Sequence, residues 1–407
     1  MRIAILAALP AIVAGAGPEW PQWGGPGRNF RLPGMKPPAP WSEAGPKTLW
    51  RKPMPFGSSS IAVDGNRLYT MYRGDDESEI VLAMNSSNGN TVWESKTPAP
   101  FLKGMNMKTG PGPHSTILVV GNKLYAAGVT GRLRCLDKRD GKVLWTKELI
   151  EGMGGTVMLR GYSNSPMRYK DTLIVMMGGK DRMLTALDLE TGAVRWQGGD
   201  FANSHSSPVL IEVDGQEQIV CVVEKAIAGF DPANGKVLWS HAHENRGGDI
   251  TTTPVWGPGN ILFFSGAYQG GSRALQLSQS GGKTTVKELW FHRQMRVHHS
   301  IVQRIGDYVY GPNGDFGGTI FMCVDIRTGE IKWRERALVR ANAILVGDSA
   351  VLLDEDGVLY LASLSPEGVK IHAKAKILEN IAWTPPSIVG KRMYLRDRKQ
   401  IVALELK

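Results

Sequence analysis

The 407-residue sequence has only three cysteines, Cys135, Cys221 and Cys323. No two are adjacent, and no Cys-x-x-Cys-His run exists, which excludes covalent haem attachment by that motif. Each cysteine sits inside an apolar, strand-like run (Leu133 to Leu136, Val220 to Val222, Met322 to Val324), the pattern of buried free thiols rather than disulfides. Beyond the N-terminus there is no apolar run of the roughly 18 or more residues that a membrane helix needs. Gly-x-Ser-x-Gly and His-Glu-x-x-His are both missing, so neither a serine-hydrolase elbow nor a zinc-protease helix can be placed. The chain carries a net charge of +10, but its Lys and Arg are dispersed, which gives no nucleic-acid stripe and leaves a solvated basic surface that attracts anions.

What is abundant is turn chemistry, with 49 glycines and 24 prolines among 42% hydrophobic residues. That combination describes a folded chain with many turns and few helices. Residues 1–16 read as a secretory signal: Arg2, an apolar run from Ile3 to Val13, and Ala14-Gly15-Ala16 as the cleavage site. No cysteine stands there to carry a lipid. The expectation is a soluble periplasmic or secreted protein with an extension over 17–45 and one repeat domain over 46–407.

Tryptophan marks the repeat. Trp50, Trp93, Trp145, Trp196, Trp239, Trp290 and Trp333 follow one another at intervals of 43, 52, 51, 43, 51 and 43 residues, a period that denotes an array of supersecondary units. A common phrase precedes most of them, as in Asp137-Lys-Arg-Asp-Gly-Lys-Val-Leu-Trp145 and Asp231-Pro-Ala-Asn-Gly-Lys-Val-Leu-Trp239. The Asp accepts from the backbone ahead of it, the Gly takes the positive-φ position, and a strand ending on Trp follows. Further hairpins such as Ile117 to Tyr125 stand upstream, which makes four short strands per unit and predicts an all-β, eight-bladed propeller of antiparallel blades. The last unit lacks a final strand, and Lys47 to Trp50 is a final strand without a blade; pairing the two closes the ring. Two units depart from the phrase: the turn at Ser278 to Lys283 is enlarged, and His372 is read at the Trp position of unit seven. The signature Trp residues are assigned to packing between blades.

The Asp…Gly-x-x-x-Trp phrase resembles the repeat of PQQ-type propellers, found in quinoprotein alcohol dehydrogenases and in the scaffold lipoprotein of the outer-membrane barrel-assembly machine. Trp20-Pro-Gln-Trp-Gly-Gly-Pro-Gly-Arg28 is similar to the opening of many exported PQQ-like repeat proteins. For the dehydrogenases the resemblance implies a cofactor held against adjacent cysteines, bound calcium and an Asp base, none of which can be matched here residue by residue. For the scaffold it implies length and blade count like these, with a lipid anchor this sequence lacks.

Aligning the units on their opening residue puts Ser58, His114, Ser163, His205, Thr251, His299, Arg340 and Trp383 at equivalent positions where the inner strands enter the central channel. His298 lies beside the third histidine. Loops leading there carry Lys103, Lys108, Arg160, Arg246, Arg296 and Arg340, which suggests a basic funnel for an anionic small molecule or protein partner. His114, His205 and His299 are also the candidate metal ligands, although blades so far apart do not readily bring three side chains to one ion. The other reading of this register is that it favours small polar residues that satisfy backbone groups at the channel entry. Trp383 either stacks on a ligand or packs. The sequence therefore predicts a non-catalytic binding or scaffold propeller with no required cofactor, monomeric because a closed ring leaves no sheet edge, with a PQQ- and calcium-dependent oxidoreductase as the alternative.

Overall fold

A computed structural model describes residues 19–407 except 109, 245–250, 269 and 315–318. The leader assigned to 1–16 lies outside these residues, as do Arg246 and the residues between Gly314 and Thr319.

Eight sheets follow one another around an axis, each built on four antiparallel strands that run in chain order from the channel outward, except that blade eight takes its outer strand from the N-terminal segment. Blade one, for example, runs Ala62–Asp64, Arg67–Arg73, Ser78–Asn85 and Thr91–Pro98. The burial along each strand follows from its place. The second and third strands are sandwiched between neighbouring blades and are near-continuously buried, such as Lys123–Ala127 and Arg132–Asp137 in blade two. Outermost strands alternate toward solvent, as Val194–Gly198 does in blade three.

Ring closure is as the sequence predicted. Lys47–Pro53 pairs antiparallel with Gln400–Glu405 and supplies the outer strand of blade eight. Side chains reinforce the seam: Ser387 Oγ donates to the Ile61 carbonyl at 2.6 Å, and the buried Arg396 guanidinium donates to Thr70 Oγ1 at 2.8 Å and to the Met71 carbonyl at 2.9 Å.

The signature phrase works as a joint between blades. Asp137 Oδ1 accepts from the Arg139 N–H at 2.9 Å, and Gly141 adopts φ +75°. A Cβ at Gly141 would fall 2.4 Å from the ring of Trp93, so the turn of blade two rests directly on the tryptophan of blade one. Trp93 Nε1 in turn donates to the Lys138 carbonyl at 3.2 Å. The same contact recurs between Trp50 and the Ser86 carbonyl, Trp290 and Ile326, and Trp333 and Ser365. Trp239 departs from it because the next turn is the enlarged one: its Nε1 donates instead to Gln218 Oε1 at 2.7 Å within its own blade.

A β-bulge immediately before the tryptophan recurs around the ring, where one outer-strand residue has no ladder partner, as between Val143 and Trp145. The bulge corrects one assignment. In blade seven Leu361 pairs with Ala373 and Ala362 with Ile371, so Ala373 occupies the tryptophan position and His372 is the bulged residue, sharing a 2.8 Å hydrogen bond with Ser363 Oγ. The three cysteines are buried free thiols, and burial pushes all of them up, Cys135 to about 11 and Cys323 to about 12.

Candidate functional site

The channel is filled from one end by the N-terminal segment. Trp20 forms a two-way bridge with Val63 of blade one, and the Pro21 carbonyl accepts from Val119 of blade two. Trp23 Nε1 donates to Thr253 Oγ1 at the start of blade five, and Gln303 of blade six reaches the Asn29 and Phe30 carbonyls. Arg31–Leu32 then runs parallel to Leu345–Val346 and adds a fifth strand to the channel edge of blade seven. These contacts run along the inner strands from their starts to their ends, so the segment occupies the channel beside them.

Arg28 is the keystone of this plug. It is 9% exposed, and its guanidinium donates to the Ser165 carbonyl at 2.7 Å, the Pro208 carbonyl at 2.9 Å and the Pro166 carbonyl at 3.1 Å, joining blades three and four. Burial pushes its pKa down to about 9, which still leaves a cation at neutral pH. The preceding Gly24 and Gly25, at φ +75° and +73°, provide the tight path that turns the chain inside the channel.

The other end is open, and its cavity of about 240 Å³ is lined by all eight register residues: Ser58, His114, Ser163, His205, Thr251, His299, Arg340 and Trp383. Arg160 and His298 also line it. Trp23 closes it from the plug side, and Phe56 and Tyr268 add apolar surface. The two readings of the register prove to be neighbours in sequence. Residues one or more places from it tie each blade to the next: Thr116 N–H to Ser165 Oγ, Ser165 N–H to Ser207 Oγ, Ser206 Oγ to the Thr252 carbonyl and Thr252 Oγ1 to the Val297 carbonyl. The belt continues from Ser300 Oγ to the Arg340 carbonyl, Asn342 Nδ2 to Trp383, Thr384 Oγ1 to Ser58, and Ser58 N–H to Pro113. Backbone groups at the channel entry are thereby satisfied, and the register side chains are left to line the cavity.

The basic funnel needs correction. Arg160 and Arg340 line the cavity, but Lys103, Lys108 and Arg296 do not. The backbone at Arg296 is held away by Asn313 and Gly314, with its N–H donating to Asn313 Oδ1 at 2.7 Å. Arg340 is ion-paired with Glu355, whose other oxygen accepts from Trp383 Nε1 at 2.6 Å. Trp383 also stacks on His299 at 4.4 Å and carries the Arg398 guanidinium at 4.6 Å from its centroid, so its ring is engaged in packing. Sequence reasoning missed Glu355, Arg398 and Trp23, which lie outside the repeat register; only the Gly-Gly-Pro-Gly-Arg run hinted that the extension folds tightly.

His114 and His299 are held largely uncharged. Burial, with His205 second, brings His114 down to about 4. Burial and the neighbouring His298 and Arg340 hold His299 well below its ordinary value. Ser163 Oγ and His205 Nδ1 share a hydrogen bond of 2.9 Å. Among the described residues no group of three or more His, Cys, Asp or Glu side chains is disposed to hold a metal, so His114, His205 and His299 do not form such a group. His299 and Arg340 both take positive φ, +23° and +46°, a strained backbone that clusters at this mouth.

Fold and mouth together define an eight-bladed propeller whose channel is plugged at one end and opens at the other into a small blind pocket. The chain belongs to the PQQ-like repeat family whose profile is described as outer membrane protein assembly factor BamB, matched over residues 41–197 and 77–335. It is 23% identical over 326 residues to the outer membrane protein assembly factor BamB of Moranella endobia (strain PCIT), covering 75% of each chain. It is also 23% identical over 164 residues to the quinohemoprotein alcohol dehydrogenase of Comamonas testosteroni, covering 39% of this chain and 22% of that one. The crystal structure of BamB from Moraxella catarrhalis superposes with a TM-score of 0.61 at 17% identity, over 89% of this chain and 98% of that chain.

Proposed function

We propose that this protein is a non-catalytic binding propeller of the cell envelope, a scaffold that engages a small ligand or protein partner at the open mouth. The observation that carries the reading is the asymmetry of the channel: one end is sealed by the chain itself, and every register residue lines the other. A plugged propeller has one end at which loops from all blades converge on an accessible cavity, the usual place for recognition. The family's description as an outer-membrane assembly factor supports a scaffold role in the envelope, as does the leader-like sequence over 1–16. No helix among the described residues is long and apolar enough to cross a membrane.

The chemistry of the mouth supports binding rather than oxidation. Among the described residues that line the cavity none is an Asp, Glu or Cys. The three thiols are buried in separate blades and cannot form a cofactor platform. A photo-crosslinking amino acid placed at Leu159, on a loop of the mouth face, should give adducts in the cell envelope that one placed at Val194 on the outer strand of blade three does not. Adducts only from Val194, or equal adducts from both, would move the binding surface to the rim.

A further inference from the structure

The ligand class can be read from the hydrogen-bonding character of the pocket, on the premise that the mouth is the binding face. Of the cations expected there from sequence, Arg160 and Arg340 line the cavity and Arg246 lies outside the described residues. Arg340 is compensated by Glu355, Arg398 lies on Trp383, and Arg160 donates its Nη1 to the Asn106 carbonyl at 2.8 Å. Around the cavity stand groups that both donate and accept: the hydroxyls of Ser163, Thr251 and Ser300, the imidazole of His114 and the Asn342 amide. Such groups are the complement of a guest with several hydroxyls rather than of an oxyanion, which needs donors alone.

Two of these polar atoms have no partner among the described residues. His114 Nε2 and Thr251 Oγ1 are both buried without a hydrogen bond. An unmet polar atom is costly, so each is a site where a guest hydroxyl gains more than it would at an already satisfied group. The apolar part of the lining is aromatic. Trp23 closes the cavity, its indole N–H already spent on Thr253 Oγ1 and its edge fixed by a T-shaped contact with Phe30 at 4.9 Å. With its polar atom engaged elsewhere, the indole presents hydrocarbon to the cavity, suited to the C–H face of a saturated ring. A volume of about 240 Å³ lies below the roughly 300–1,000 Å³ of pockets for drug-sized ligands, which limits the guest to a single ring.

We infer that the mouth pocket binds an uncharged polyhydroxylated ring, a neutral monosaccharide or the terminal residue of a glycan, hydrogen-bonded by the His114, Ser163 and Thr251 side chains over Trp23. The plug is then part of the binding site, since it supplies the floor.

Isothermal titration of the full chain with D-glucose and N-acetyl-D-glucosamine, set against D-glucuronate, citrate and inorganic phosphate, tests this. Saturable millimolar binding of a neutral sugar is expected, with no gain for glucuronate. Ser163→Ala and Thr251→Val should each weaken it by about fivefold to tenfold, the worth of a single hydrogen bond, and Val194→Ala on the outer rim should leave it unchanged. Two variants at separate blades, each checked for an unaltered unfolding midpoint, keep the result readable if one misfolds. Binding of citrate or phosphate but not of neutral sugars would overturn the inference while leaving the binding-propeller reading in place. Sugar binding that survives both variants, or no binding by any of the compounds, would also overturn it; the crosslinking from Leu159 judges the underlying reading separately.

Discussion

Removing the Arg28 side chain tests whether the plug is a structural keystone. Its three carbonyl contacts, at 2.7, 2.9 and 3.1 Å, come from a buried cation and join two blades. Hydrogen bonds to a charged group contribute about 1.5–3 kcal/mol each, but burying the guanidinium offsets much of that sum. Truncation leaves three carbonyls that water can reach only in part, so a net loss of about 3 kcal/mol is reasonable. Unfolding entropy near 2.1 cal/mol/K per residue gives, for the roughly 380 described residues, about 0.8 kcal/mol/K and hence a fall of about 4 °C. The assay is thermal unfolding of Arg28→Ala beside amide-exchange protection across Trp20 to Leu32. If the plug detaches without the ring opening, the midpoint moves less and protection in that segment collapses alone. Arg28→Lys should recover little, because an ammonium cannot span three carbonyls in a planar fork. A midpoint within 1 °C together with unchanged protection would refute the reasoning.

Three other outcomes follow from the same structure. Gly141→Ala puts a Cβ 2.4 Å from Trp93 on a backbone at φ +75°, and should lower stability by about 2–4 kcal/mol in a denaturant titration. Deleting Lys47–Pro53 exposes the edge of Gln400–Glu405 and should convert a monodisperse species into one that aggregates, read by light scattering. Buried His243 has its pKa lowered to about 4 by burial, with Arg273 second. The unfolded chain takes up that proton near 6.5 and the folded one only near 4, so its stabilising contribution is complete above pH 6.5 and is lost as pH falls toward 4, by at most about 3 kcal/mol. His243→Gln should flatten the midpoint-against-pH curve in that window. Asp354, raised to about 6 by burial, acts in the opposite sense between about pH 4 and 6, and Asp354→Asn should steepen the acid loss.

Much of the ring was legible because its determinants are local. An Asp-to-Gly turn and a Trp at a fixed offset encode each hairpin and its joint to the next blade, and the orphan strand before Trp50 announced closure. The register from Ser58 to Trp383 was legible for the same reason, since equivalent positions in a repeat face the same place. What the sequence could not show depends on contacts between distant segments. Arg28 finds Pro208 across 180 residues, and Glu355 neutralises Arg340 from a loop of its own blade outside the aligned register. A count of cations therefore left out the carboxylate that Arg340 meets at the mouth. The bulges were invisible because one unpaired residue changes register without changing the pattern, which is why His372 was read one place away from the true tryptophan position.

The most direct test of the central claim, that this propeller binds without redox chemistry, is an absorption titration of the purified protein with PQQ and calcium, followed by a dye-linked alcohol oxidation assay. The account predicts no saturable spectral change, no rise in the unfolding midpoint and no dye reduction. A stoichiometric spectral shift accompanied by substrate-dependent dye reduction would contradict it.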